Sequence, residues 1–298
     1  MTISQALQEF LIGHQIKGNS PHTVRYYNKN IAQFMAFTGD IQTDNISLSH
    51  LREYYLHLTS KPITSITIQT YIRAVRAFIT WCYMEEYIPV NICDKFRLPK
   101  AKRKAIDILT DNEIQSLISC FNTKTDTGLR NLCICLLMLD SGLRMNEVVT
   151  LKMSSLHIQE SYIIVTGKGD KERFVPIGLN TKKHLLKYMS QYRNYTHGET
   201  PLFVKVRTIP IENSTIKQLF RKLKIQSEIP RLRAHLLRHT FATRYLDNGG
   251  DIYSLQSILG HTTLEMVKKY IHTTPWKTAI TFSHFSPIDN LTEKPRKP

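Results

Sequence analysis

Long apolar runs, paired cysteines and acidic side chains are all in short supply in this chain, and each shortage excludes something. No stretch of the 298 residues approaches the roughly 20 apolar positions that a membrane helix needs. The opening residues, MTISQALQEF, lack the basic start and apolar centre of a secretory signal. The five cysteines, Cys82, Cys93, Cys120, Cys133 and Cys135, are odd in number and never spaced C-x-x-C. That pattern disfavours a disulfide framework or a zinc ribbon and suits a reducing, cytoplasmic setting. Only 24 Asp and Glu oppose 40 Lys and Arg, leaving a formal charge of +16. A polyanion is therefore the first partner to consider, with a merely solvated basic surface as the alternative. No internal repeat and no low-complexity segment is visible.

What is present is helical periodicity. With 42% apolar residues, the chain is long enough to bury two cores of ordinary size. Ile3, Leu7, Phe10 and Leu11 form one stripe that Gly18 stops. Ser20 and Pro21 then cap a second helix, whose Val24, Tyr27, Ile31, Phe34 and Met35 keep period as far as Gly39. Leu48, Leu51, Tyr55 and Leu58 mark a third, and Ile68, Ile72, Val75, Phe78, Ile79 and Cys82 a fourth. Residues 1–90 thus read as a helical domain. Residues 91–104 read as a basic linker, because Lys95, Arg97, Lys100, Lys102, Arg103 and Lys104 crowd around a proline and like charges resist compaction. Contact with phosphates is the preferred role for them over a passive spacer.

From 105 to 298 the pattern is mixed. Thr110 to Glu113 is a capping box, and Leu129 to Leu139 reads as a buried helix. Tyr162–Thr166 and Arg173–Ile177 are two β-branched runs around a glycine-bearing turn, a hairpin signature with Lys168 and Lys171 at its tip. Helices resume at Lys182 to Met189, Thr215 to Leu223 and Leu236 to Leu246. The expected fold class is mainly α with a small antiparallel β-sheet.

One short stretch, HLLRH from His235 to His239, carries two readings beyond that of an ordinary polar helix turn. Histidines at i and i+4 share a face, as in the zinc-binding H-E-x-x-H. Here Leu236 occupies the place of the glutamate base, no third ligand stands out, and Arg238 would repel a dication. The second reading sets His235 and Arg238, three apart on one face, around an anion. His239 reads as a packing residue. Taken singly, the neighbouring candidates also have ordinary readings. Arg144 precedes Glu147 by three, as a helix ion pair would; His261 precedes T-T-L-E and so sits at a helix entrance; Tyr270 lies on an amphipathic stretch and could be core; Lys171 and Arg173 could be solvated hairpin charges.

In order along the chain, SGLR with Arg144, GKGDKER with Lys168, HLLRHTFAT with His235 and Arg238, LGH with His261, and Tyr270 nine residues later resemble the tyrosine recombinases, the phage integrase family. Their joint occurrence at sensible intervals is what sets the ordinary readings aside. The resemblance spans about residues 105 to 275 by motif; the first domain matches only in length, helicity and position. It implies a SAM-like core-binding domain and a mixed α/β catalytic domain, with a C-terminal tail in which Trp276, Ile280, Phe282 and Phe285 dock on a neighbour. It further implies double-stranded DNA with an inverted-repeat core site as substrate, and a tetramer of this chain, or of this chain with a related recombinase, at the nucleoid. Strands would be exchanged through a Holliday junction and a 3′-phosphotyrosine, with no metal, ATP or other cofactor, in a Xer-like or mobile-element setting.

The chemistry fits these residue types. Guanidinium forks such as Arg144 and Arg238 meet the two non-bridging phosphate oxygens without losing charge. A phenol with pKa near 10 needs a base, for which His235 is the candidate, and an alkoxide leaving group needs an acid, for which Lys168 is. His261 completes the set, and Lys171 and Arg173 join the linker cations as DNA contacts. A single straight helix from His261 to Tyr270 would turn the two side chains apart, so the chain either folds back or delivers Tyr270 to another subunit. Two rivals stay open: a type IB topoisomerase, and a DNA-binding regulator without the chemistry. Replacing Lys100, Lys102, Arg103 and Lys104 with Ala should flatten the salt dependence of DNA binding, whose log–log slope is about 0.9 per phosphate contact; an unchanged slope in a filter-binding titration would make the segment a spacer.

Overall fold

Side-chain caps written in the sequence set most helix starts. The protein is described by a computed structural model over residues 1–98, 106–167, 170–193, 198–205, 209–268 and 270, and it divides into two compact units, Met1–Lys104 and Ala105–Pro298. The first unit contains α1 (Ile3–Ile16), α2 (Pro21–Thr38), α3 (Leu48–Thr59) and α4 (Ser65–Met84). Each starts on a hydroxyl residue, Thr2, Ser20, Ser47 or Thr64, whose oxygen accepts a first-turn backbone N–H. Gly39 leaves α2 at φ 79°, a left-handed value that favours glycine. The stripes read from the sequence converge on one core, with Ile3, Phe34, Leu51, Ile72 and Phe78 fully buried. That core runs past residue 90. Ile92–Lys95 form a 3₁₀ turn, and Cys93 and Phe96 pack inward, because the apolar side chains here outweigh the basic ones that suggested a linker from 91.

The second unit is built around α6 (Asp126–Asp140), which is buried almost all round, as expected of a central helix. Before it comes α5 (Asp111–Ser119), opened by the Thr110–Glu113 capping box. After it come the short α7 (Met145–Thr150) and three strands, β1 (Leu156–His157), β2 (Tyr162–Thr166) and β3 (Glu172–Pro176), in the antiparallel order β1-β2-β3. The hairpin is the expected one; β1 and α7 are too short for periodicity to reveal. Val165 pairs with Arg173, and Ile163, Val165 and Val175 face the core. The helices expected downstream are α8 (Leu179–Tyr192), α9 (Asn213–Gln226) and α10 (Ala234–Asp247), followed by the unexpected α11 (Ile252–Leu259) and the single turn α12 (Glu265–Lys268). No described helix is long and apolar enough to cross a membrane.

Several bonds tie the start of this unit to α10, among them two from Arg244, to Leu109 O and to Asp111, and a buried pair at Thr240. Buried Thr240 accepts the Leu109 N–H at Oγ1 (2.9 Å) and donates to Leu236 O (2.8 Å). Thr240→Val keeps the shape but orphans that N–H, so urea unfolding should show a loss of about 1–3 kcal/mol.

Candidate active site

The SGLR motif is a helix exit followed at once by a helix start. α6 ends at Asp140; Ser141 donates to Pro176 O (2.9 Å), and Gly142 turns at φ 66°. A Cβ on Gly142 would lie 2.4 Å from Phe241 Cδ1, so only glycine admits α10 this close. Leu143 is buried, and Arg144 then caps α7. Buried Glu147 holds Arg144 twice, accepting its backbone N–H at Oε2 (2.8 Å) and its Nη1 at Oε1 (2.8 Å). The ion pair expected from the i,i+3 spacing is therefore present, and it fixes the orientation of the Arg144 side chain. Burial works against the Glu147 charge, but hydrogen bonds from Arg173 and Arg144 outweigh it and hold the carboxyl below its ordinary range.

On α10, buried Leu236 and Leu237 anchor the helix and distribute the polar residues of HLLRH over its other faces. His235 is exposed on the first turn. Arg238 is buried: Nη1 donates to Gly142 O (2.6 Å), and Nη2 donates to Leu259 O (2.8 Å) and meets His261 Nε2 (3.0 Å). A guanidinium can only donate, so His261 Nε2 accepts and its proton sits on Nδ1. Three of the five N–H donors are thus used in these bonds. Burial, with Arg144 nearby, lowers the Arg238 pKa to about 10, so it is still charged at neutral pH.

His261 lies at the end of α11, not at the entrance of the next helix as its sequence neighbours suggest. Gly260 adopts the left-handed conformation, φ 61° and ψ 49°, and the His261 N–H returns to Gln256 O (3.1 Å), a helix-closing geometry. α12 begins only at Glu265, and Tyr270 packs in a cluster with Ala242, Leu255 and Leu259. Tyr270 is 1% exposed. Its hydroxyl lies 2.9 Å from Nδ1 of His239, so the histidine read as a packing residue is the one that meets the phenol. The i, i+4 pairing with His235 drew attention away from it; the signal that could have found it is its place beside Arg238 in the motif. Burial raises the Tyr270 pKa, and Arg238 and Arg144 pull it back only in part.

Arg144, Arg238, His261 and Tyr270 are thus gathered in one place. Arg173, expected as a DNA contact or a solvated charge, is turned inward: Nη2 donates to Glu147 Oε2 (2.8 Å) and Nε to Ile258 O (2.7 Å). Lys171 is exposed on the hairpin. Lys168, the linker cations Lys100, Lys102, Arg103 and Lys104, and the tail residues Trp276, Ile280, Phe282 and Phe285 lie outside the described residues. Among the described residues, no three His, Cys, Asp or Glu side chains gather as metal ligands would.

Residues 107–276 match the phage integrase family, and residues 7–86 match the phage integrase N-terminal SAM-like domain. The chain is 25% identical to the tyrosine recombinase XerD of Halalkalibacterium halodurans over 295 residues, covering 96% of this chain and 99% of that one. It is 29% identical to the tyrosine recombinase XerC of Thermodesulfovibrio yellowstonii over 263 residues, covering 86% and 87%. Among solved structures, the Tn1549 transposon integrase in complex with a circular intermediate DNA shares the fold, with a TM-score of 0.78 at 19% identity across 96% of this chain and 100% of that one.

Glu147→Gln leaves two guanidinium groups without their carboxylate, and unfolding at pH 7 should show a loss of about 3 kcal/mol. Because the native carboxyl titrates below its ordinary value of 4.5, the stabilisation is complete above that pH and is lost as pH falls through the native pKa. Urea titrations at pH 7, 5, 4 and 3 should therefore show the gap between wild type and variant closing only at the acid end.

Proposed function

The chain belongs to the phage integrase family, and from that premise we propose how its residues carry out tyrosine-type site-specific DNA recombination. The convergence of Arg144, Arg238 and His261 on a buried Tyr270 carries the reading. The two guanidinium groups bind the non-bridging oxygens of the scissile phosphate and stabilise the charge that develops there. The Tyr270 oxygen attacks phosphorus, its proton passing to His235; the bond to the 5′ oxygen breaks, and Lys168 supplies the proton that this oxygen needs to leave. The product is a 3′-phosphotyrosine and a free 5′-hydroxyl. Attack by a 5′-hydroxyl from a partner duplex reverses the step and frees the tyrosine. The phosphate ester is never lost to water, so no external energy source enters the balance.

The Tyr270 hydroxyl lies against His239. Burial raises the pKa of this phenol, so the nucleophile is a neutral hydroxyl that must lose its proton during attack. Four copies on a pair of inverted-repeat core sites, exchanging strands through a Holliday junction at the nucleoid, are the assembly this chemistry calls for. Lys100, Lys102, Arg103, Lys104 and Lys171 add contacts to the DNA backbone, and the tail with Trp276 and Phe282 joins neighbouring copies. Neither a topoisomerase nor a silent regulator is favoured, since relatives similar along nearly their whole length are named tyrosine recombinases.

Tyr270→Phe removes one oxygen from a site whose DNA affinity is electrostatic. It should bind a core-site duplex about as tightly as wild type, within roughly twofold, and form no SDS-resistant complex with it. A covalent complex from the variant would remove Tyr270 from the nucleophile's role.

A further inference from the structure

We propose that Arg173 is a positioning residue of the cleavage step, locking the hairpin that bears Lys168 to the two segments that hold the catalytic arginines. The inference rests on the recombinase reading above. The Arg173 side chain is only 10% exposed, and its fork spans two acceptors from distant parts of the chain. One is Glu147 Oε2 at 2.8 Å; the same carboxylate orients Arg144 through the Arg144 Nη1 and backbone N–H. The other is Ile258 O at 2.7 Å. The next residue, Leu259, gives its carbonyl to Arg238, and two residues further His261 meets the same guanidinium. From Arg173, one bond therefore leads to Arg144 and the other to the support of Arg238 and His261.

The hairpin supplies the third link. Arg173 pairs with Val165 across the sheet, and the Gly167 N–H closes on Lys171 O at 2.8 Å, immediately before Lys168 in the chain. The fit is tight from the other side as well, for a Cβ on Gly260 would lie 3.1 Å from Arg173 Cδ. A planar fork can meet a carboxylate and a carbonyl together, whereas a lysine ammonium is a single point on a flexible stem. Both of the acceptors that Arg173 meets belong to the protein.

The test is single-turnover cleavage of a nicked core-site duplex that traps the covalent complex, with binding measured by gel shift across a salt series. Arg173→Ala should leave the dissociation constant within about twofold while slowing covalent complex formation about 100-fold, the scale of loss from a small misplacement of catalytic groups. Arg173→Lys, which restores one bond at most, should fall between and also serves if the alanine variant does not fold. Glu147→Gln combined with Arg173→Ala should be little slower than the worse single variant, because both act through one unit.

A normal rate constant with a reduced end point would mean that Arg173 only stabilises the fold, and would overturn the proposal. Weaker binding with a salt slope lower by about one contact would make it a phosphate ligand and overturn it equally. If the wild-type chain forms no covalent complex with a core site that it binds, the recombinase reading itself fails and takes this inference with it.

Discussion

A buried guanidinium is the constraint on which the catalytic unit depends. Arg238 is taken almost wholly out of water, and an unpaired buried charge is costly. The fold answers by ending two helices against it. Gly142 O, just past α6, and Leu259 O, at the end of α11, both accept from Arg238, and carbonyls at helix C-termini carry unspent acceptor capacity and partial negative charge. The left-handed glycines Gly142 and Gly260 are what let each chain turn away once its carbonyl is in place. The motifs SGLR and LGH are, physically, the two halves of one arginine's solvation shell.

Charge around the site is deliberately unbalanced. Glu147 faces Arg144 and Arg173 directly, and Arg238 feels Arg144 and Arg173 as like charges. One carboxylate thus serves several cations, and the surplus beside Tyr270 is positive. The same surplus draws the Tyr270 proton outward against the effect of burial.

Much of this was legible in the sequence, and the boundary follows the range of the interactions. The caps at Ser20 and Thr110 and the hairpin turn are local, so residue type and spacing reveal them. The motif residues were legible together, by order and interval. What could not be read depends on the tertiary fold. Short α7 and β1 have too few residues to show a period, whereas α11, with Ile252, Leu255, Ile258 and Leu259 between Asp251 and Gly260, had a legible stripe that sequence reasoning missed. His239 meets Tyr270 across 31 residues, so no helical wheel places them together. Arg173 looks like a surface charge in a polar turn, yet the alternation of β3 sets it on the same face as buried Val175. That period was a signal available in the sequence, and the chain's overall basicity obscured it.

The span of these contacts also bears on the order of events during synthesis. Arg238 reaches back 96 residues to Gly142, and Thr240 reaches 131 to Leu109. A growing polypeptide therefore emerges from the ribosome with its first helical unit complete and its second unable to close. Until α10 and α11 have left the exit tunnel, Arg144 has no partner arginine and the buried seat for the phenol does not exist. A half-made copy carries much of the chain's positive charge without the closed pocket that holds the phenol.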